Sequence, residues 1–407
     1  MSRQAAINHL RALREHLNQN VYGPDPDHIF ERFKTHGILF FPRQWADPLE
    51  ASLKSFLQLG DDDFLVTGSG SSKIEFFHIA NSMIERLVLG VPETKIIDDW
   101  IDLLSSRKGL TAFVCCVSGV TVSSAIILGP GVQVIPPEQL PATREREAIF
   151  RIGRDGQPIF DFSITQQRWR IPSAAILIES SDFNIIRGGN SPSEVSDLMR
   201  RQSVVQDRVL VAMALSGVCA PVPSWSYSTA VHPALAYHGL GSSGVGGTLA
   251  APPIQSGAID PTILAEIYEA ISKLGPKEQA SLSLSIGRLA RSRGHASPAD
   301  RAIDLGIAIE SLLLHGESGP GAKGELRNKV GLRGAWLLGR TPEEREHVFR
   351  LLRSAYDARS QAVHSGVISQ KNMSILEDAD QISSQLFRVV VQMGRYPDWD
   401  KLVLGYK

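Results

Sequence analysis

Near the C-terminus the run YDARSQAVHSG holds Arg359 and His364, an arginine and a histidine with four residues between them. The pair suits phosphoryl chemistry: a guanidinium grips a phosphate through paired N–H donors, and an imidazole gains or loses a proton near neutral pH. Thr341-Pro342-Glu343-Glu344 opens the helix that carries them, with a side-chain cap, a first-turn proline and an acidic third position. Gly366 is placed to end it. His364 therefore falls in the last turn, where the carbonyl end of the helix dipole favours a cation.

Spacing alone does not single this pair out. With 30 Arg and 11 His in the chain, an arginine followed by a histidine after four to six residues is expected about 2.4 times by chance. Five such pairs occur: Arg3/His9, Arg11/His16, Arg288/His295, Arg340/His347 and Arg359/His364. On spacing alone, a surface ion-pairing Arg359 and a helix-capping His364 are the better account. Five residues at about 100° each also leave the two side chains about 140° apart on an ideal helix. The pair meets one substrate only through the reach of arginine, a distorted last turn or a second subunit.

Glu310 stands in the otherwise apolar run LGIAIESLLLH. A carboxylate buried there needs a partner, and Arg359 and Arg288 are the candidates it would orient; an exposed helix edge is the other reading. Tyr356 fits a core residue with a satisfied hydroxyl better than a site residue. Ser360 lies beside Arg359. Lys323, Arg327, Lys329 and Arg333, opposed only by Glu325, form either an RNA-binding strip or a solvated helix face.

The elements that must position these residues follow from the pattern of the chain. Residues 3 to about 60 read as mostly helical, with a break at GPDPDH. Between about 62 and 190 short runs such as FLVTG, KIEFFHIA, AFVCCV, AIILG, AIFRIG, PIFDFSI and AAILIES predict strands, with one helix near TKIIDDWIDLLSSRKG. A long helix starts at Ser191-Pro192-Ser193-Glu194. From about 258 to 395 almost everything reads as helix, broken by Gly, Pro or Ser, with strong starts at Ser297-Pro298-Ala299-Asp300 and Thr341. The expected fold class is α+β: an N-terminal mixed, mainly β region followed by a C-terminal all-α antiparallel bundle. The expected domains are a helical segment 1–60, a mainly β region 61–238, a glycine-rich linker 239–257 and a bundle 258–407 able to fold alone.

Composition narrows the function. The chain has 407 residues with 42 Lys+Arg against 43 Asp+Glu, a net charge of -1, so any nucleic-acid site is local rather than a product of bulk charge. Cys115, Cys116 and Cys219 form no CxxC motif and read as buried thiols of a reducing cytosol. The N-terminus lacks the apolar core of a signal peptide, and the uncharged stretch Leu110–Pro137 reads as strands with turns at Ser118-Gly119 and Gly129-Pro130-Gly131 rather than as a membrane span. A cytoplasmic protein without membrane partners is expected. Gly239-x-Gly241-x-x-Gly244 is followed by further Gly and by Pro252-Pro253, not by the helix that a dinucleotide site needs. GSGSSK at 68–73 lacks the phosphate-loop spacing and reads as a hairpin loop. His232 and His238 have no third ligand nearby. No metal and no other cofactor is expected.

Taken as a whole segment, residues 280–366 resemble the ApeA-like branch of the HEPN family. LSLSIGRLARSR, ADRAIDLGIAIESLL, a basic helix and YDARSQAVHSG follow one another as in that branch, down to the tyrosine, Arg-Ser and Val-His-Gly ending, and RVLVAMALSGVCAPVPSW at 208–225 is also similar. The resemblance covers about a third of the chain. Two departures stand out: Ser365 lies between His364 and Gly366, and Ser360 stands where many catalytic members carry Asn, Asp or His. The resemblance implies a bundle that forms a homodimer with the two Arg-His helices facing each other. It implies a metal-independent RNA endonuclease, a type often deployed in anti-phage defence. Arg359 would stabilise charge on the scissile phosphate and His364 would move a proton as the ribose 2′-hydroxyl attacks. By analogy, the region before the linker would sense a phage-derived trigger or select RNA. The alternative function is a non-catalytic dimerisation or nucleic-acid-binding module; an enzyme in the β region has no motif behind it.

Overall fold

The computed structural model describes residues 3–19, 41, 43–57, 59, 63–67, 70–141, 143, 146, 172–187, 192–235, 257–316 and 323–405. The fold is mixed α and β, with strands in the N-terminal half and a helical C-terminal region. In chain order come α1 (Arg3–Gln19), α2 (Arg43–Phe56), β1 (Asp63–Thr67), β2 (Gly70–Lys73), α3 (Phe76–Val88), α4 (Glu93–Ser106), β3 (Lys108–Ser118), β4 (Val120–Thr121), β5 (Ile126–Gly129), β6 (Val132–Ile135), β7 (Ala174–Arg187), α5 (Pro192–Ser216) and β8 (Val222–Ala230). Then follow β9 (Gly257–Ala258), α6 (Pro261–Ser272), α7 (Pro276–Gly294), α8 (Pro298–Leu313), α9 (Lys323–Leu338), α10 (Pro342–Ser365), α11 (Gln370–Ser374), α12 (Leu376–Met393) and α13 (Trp399–Val403). No helix among the described residues is long and apolar enough to cross a membrane.

The chain divides into two compact units. One contains Met1–Cys116, Pro137–Ser203 and Pro223–Leu249; the other contains Val117–Pro136, Val204–Val222 and Ala250–Lys407. The expected single break at the glycine-rich linker is thus one of several crossings, and the linker itself lies largely outside the described residues.

In the first unit strands run in the order β2-β1-β7-β3-β8. β1 pairs antiparallel with β2, Thr67 opposite Gly70, so most of GSGSSK forms the second strand of a hairpin rather than its loop. Helices α1 to α4 bury Leu10, Leu49, Ile79, Met83 and Trp100 at 0% exposure. The run KIEFFHIA, expected as a strand, instead leads into α3. Ile79, Met83 and Leu87 recur four residues apart, with Ile84 beside them on the same face, which is a helical period that the β-branched and aromatic start of the run obscured. AIFRIG and PIFDFSI fall outside the described residues.

The second unit is built around the helices. The uncharged stretch does form short strands: Gly119 and Gly131 turn at φ 81° and 69°, where a side chain would be strained, and β5 pairs antiparallel with β6. β4 pairs with β9 in parallel. Helix starts coincide with their caps, Ser297 accepting the Asp300 amide at 3.3 Å and Thr341 the Glu344 amide at 3.2 Å, with Glu344 reaching back to the Thr341 amide at 3.1 Å. Such a cap is worth about 1 kcal/mol. Helix α9 approaches α10 closely at glycines: a Cβ on Gly334 would stand 2.1 Å from Leu352, and one on Gly331 2.8 Å from Phe349.

The unit is larger than the expected bundle, since it also takes in Val117–Pro136 and Val204–Val222, and Arg293 ties the second of these segments to the helices. Its guanidinium, 0% exposed, binds Asp380 of α12 and donates Nη1 to the carbonyls of Ala214 at 2.6 Å and Cys219 at 3.0 Å. Arg388 Nε donates to Leu215 O at 2.6 Å. The end of α5 is therefore an integral wall of the bundle: without it these buried donors lose their acceptors, which costs several kcal/mol.

Candidate functional site

Arg359 lies on the face of α10 that packs against α8, and its place is set by a missing side chain. A Cβ on Gly306 would stand 2.5 Å from Arg359 Cγ and 2.6 Å from its Cβ, so only glycine lets the arginine stem pass between the two helices. One turn further along α8, on the same face, Glu310 Oε1 stands 3.6 Å from Arg359 Nε. Arg359 and Glu310 are 30% and 23% exposed. The two facing atoms are shielded from solvent, and neither has a hydrogen-bond partner. Burial pushes the Glu310 carboxyl above the ordinary carboxylate range, and the Arg359 charge offsets this only in part.

His364 lies one turn beyond Ser360 at the exposed end of α10. Tyr356, Ser360 and His364, four residues apart, share one face of the helix, with Tyr356 and Ser360 half-buried. Gly366 ends the helix at φ 72°, its amide donating to Ala362 O at 2.9 Å. The turn is then tied down twice. Ser365 Oγ donates to Gln361 O at 2.8 Å and to Val367 O at 2.9 Å, and Gln361 Oε1 accepts from Ser369 N at 3.0 Å and Asn372 Nδ2 at 2.8 Å. The extra residue Ser365 is accommodated as a clasp on the turn after the histidine. No described side chain hydrogen-bonds the His364 ring, and Val363 and Val367 beside it are 52% and 63% exposed.

The expected basic strip on α9 does not line up as a free surface. Arg327 is bound by both nitrogens to Asp357 of α10, with Nε 2.6 Å from Oδ1. Arg333 is 6% exposed; its Nη1 donates to Leu313 O at 2.8 Å and its guanidinium lies 5.4 Å from the centre of the Trp399 ring. Lys329 is half-buried, and the side chain of Lys323 lies outside the described residues. Of these cations, among the described residues, only Arg333 is buried, while Arg327 is 36% exposed and occupied by Asp357. Arg288, the other candidate partner of Glu310, binds Asp304 instead, at 2.9 Å.

Other sequence features find structural places. Cys115, Cys116 and Cys219 are buried and form no disulfide, and burial pushes the Cys219 thiol up to about 11. His232 Nε2 lies 3.4 Å from Asp102, and its Nδ1 accepts the Ala234 amide at 3.2 Å; His238 falls outside the described residues. Among the described residues no group of three or more His, Cys, Asp or Glu side chains gathers as a metal would require.

Two features escaped the sequence reading. Gly306 interrupts a strongly helical run, and a lone glycine there, costing about 1 kcal/mol against alanine, is a signal of close packing. Asp304, two residues earlier, anchors a cluster of cations described below. Compared with known proteins, the chain matches no family model, no curated protein and no solved structure.

Proposed function

We propose that the protein is a metal-independent endoribonuclease of HEPN type, acting as a homodimer through its C-terminal helices. The observation that carries this reading is the contrast along α10. Arg359 is held by Gly306 and Glu310, whereas His364, one and a half turns on, is exposed with no described hydrogen-bond partner. A fixed cation and an unengaged imidazole are what in-line attack by a ribose hydroxyl needs.

In the reaction the 2′-hydroxyl loses its proton, its oxygen bonds to the adjacent phosphorus, and the bond from phosphorus to the 5′-oxygen breaks as that oxygen gains a proton. The products are a 2′,3′-cyclic phosphate and a 5′-hydroxyl. Arg359 stabilises the negative charge that builds on the phosphoryl oxygens. His364 handles proton transfer. Glu310 keeps the arginine in place and touches no substrate. The angle of about 140° between the two side chains separates them within one chain, and a second copy brings the opposing helix into reach. The exposed Val363 and Val367 beside His364 are suited to burial in that contact. Defence against phage, with a trigger sensed by the N-terminal unit, is the biological setting that fits such an enzyme.

The test is RNA cleavage by purified Arg359→Ala and His364→Ala. Neither residue belongs to the buried stripe of α10 formed by Val348, Leu351, Leu352 and Ala355, so both variants are expected to fold and to lose cleavage. A variant that folds and still cuts refutes the assignment; RNA binding without cleavage by the wild type supports a binding module instead.

A further inference from the structure

A second arginine and histidine from the sequence converge in the structure. Leu284, Arg288, Arg291 and His295 follow one another at intervals of four, three and four residues, a single stripe on α7 and its C-terminal end. Three of them meet Asp304 of α8. Arg288 Nη1 donates to Asp304 Oδ1 at 2.9 Å, His295 Nε2 lies 2.7 Å from Oδ2, and Arg291 Nε stands 4.0 Å from Oδ2.

The charges there do not balance. Asp304 is the only carboxylate among the described residues within ion-pairing distance of these three side chains. One negative charge faces two arginines and a histidine, so the cluster carries at least one net positive charge. The carboxylate is only 8% exposed, whereas Arg288, Arg291 and His295 are 34%, 59% and 31% exposed. The anchor is buried and the cations open to solvent. At 4.0 Å Arg291 makes no hydrogen bond to the carboxylate, so its fork of N–H donors is free for an oxyanion. Asp304, hydrogen-bonded on both oxygens, fixes Arg288 and His295 beside it.

We propose that Arg288, Arg291 and His295, gathered on Asp304, form a phosphate-binding site that holds a backbone phosphate of the RNA. The ligand's identity rests on the proposed function; the anion site itself does not. Asp304 and Gly306 are two residues apart, about 200° around α8, so this site and Arg359 lie on opposite sides of that helix. An RNA strand that reaches both crosses α8, with Leu284, 69% exposed, at the far end of the stripe to meet a base or sugar. The site holds the strand and takes no part in bond breaking.

The experiment measures binding in the full chain, in the His364→Ala background so that cleavage does not intervene. The probes are a labelled oligouridylate and, separately, inorganic phosphate followed by the NMR shift of the His295 imidazole. Arg291→Glu is the test and Arg291→Lys the conservative rescue. Arg350→Glu is the control, because it makes the same charge change at an exposed arginine of α10, 76% exposed and paired with Glu346. Arg291→Glu is expected to weaken RNA binding about tenfold and to lower the salt slope by about 0.7, with thermal melting unchanged. Arg291→Lys should recover most of the affinity, and Arg350→Glu should bind like the parent. Equal affinity of Arg291→Glu and parent for both probes, or equal losses from Arg291→Glu and Arg350→Glu, overturns the site. Phosphate binding abolished by Arg291→Glu, with no RNA binding by any variant, upholds the anion site and refutes the ribonuclease reading alone.

Discussion

Gly306→Ala separates the placing of Arg359 from the stability of the fold. The added methyl would sit 2.5 Å from Arg359 Cγ and 2.6 Å from its Cβ, where carbon atoms rest at about 3.5–4.0 Å. The arginine Cβ is fixed to its backbone, so a rotamer change cannot clear it, and α8 and α10 must part by about 1 Å. Overpacking of this kind costs about 1–3 kcal/mol, offset by the gain of about 1 kcal/mol from alanine over glycine in a helix. The net loss of stability is about 0–2 kcal/mol. A displacement of about 1 Å at a catalytic cation costs about 100-fold in rate. Gly287→Ala is the matched control: a Cβ there would meet nothing within 4 Å, so the same substitution should gain up to about 1 kcal/mol and leave cleavage unchanged. The assay is urea unfolding beside RNA cleavage at saturating substrate. Wild-type cleavage by a folded Gly306→Ala protein would refute the argument that this glycine sets the arginine.

Glu310→Gln bears on the same arginine with the opposite sign for stability. Burial raises the Glu310 carboxyl above its ordinary range, so the stability it contributes is full below its unfolded pKa and lost as pH rises through the folded one. At neutral pH the charge therefore costs stability; the variant should unfold within about 1 kcal/mol of wild type or above it, show a steeper acid limb because the stabilising protonation of Glu310 is gone, and cleave RNA about 10- to 100-fold more slowly. A loss of several kcal/mol with full cleavage would make the pair purely structural. Arg293→Ala strips the buried Asp380 of its hydrogen-bonding arginine, leaving only Arg301 at 4.0 Å, and should lower unfolding free energy by about 3–5 kcal/mol in urea; a loss below about 1 kcal/mol contradicts its role in joining α5 to the bundle. Cys219, with its thiol pushed up to about 11, should resist alkylation in the native protein at neutral pH and react once unfolded, as followed by mass spectrometry.

The helices were legible because their caps and periods are local. Ser297 and Thr341 announce α8 and α10 in the sequence, and Gly366 announces the end of α10. The segment leading into α3 misled because Phe76 and Phe77 carry strand propensity while the helical period appears only from Ile79 onward. Packing across the chain was not legible. That Arg333 turns inward depends on the Leu313 carbonyl at the end of α8, twenty residues away, and that Arg293 recruits the end of α5 depends on carbonyls more than seventy residues away. At the site, residue types offered Arg359, His364 and Glu310 as candidates and the resemblance of the whole segment, not the spacing, singled out the Arg-His pair, but the glycine that seats the arginine and the second cationic cluster on Asp304 emerge only from three-dimensional proximity.

In the proposed reaction the RNA supplies its own nucleophile. The most direct test is cleavage of an oligoribonucleotide that carries a single 2′-deoxy sugar at the cut site, in the presence of EDTA. The all-ribose substrate should be cut in EDTA to a 2′,3′-cyclic phosphate or its hydrolysed product. The deoxy substrate should still bind, since phosphate contacts supply most of the affinity, and should remain intact. Cleavage of the deoxy-substituted bond, or loss of all activity in EDTA, contradicts this reaction.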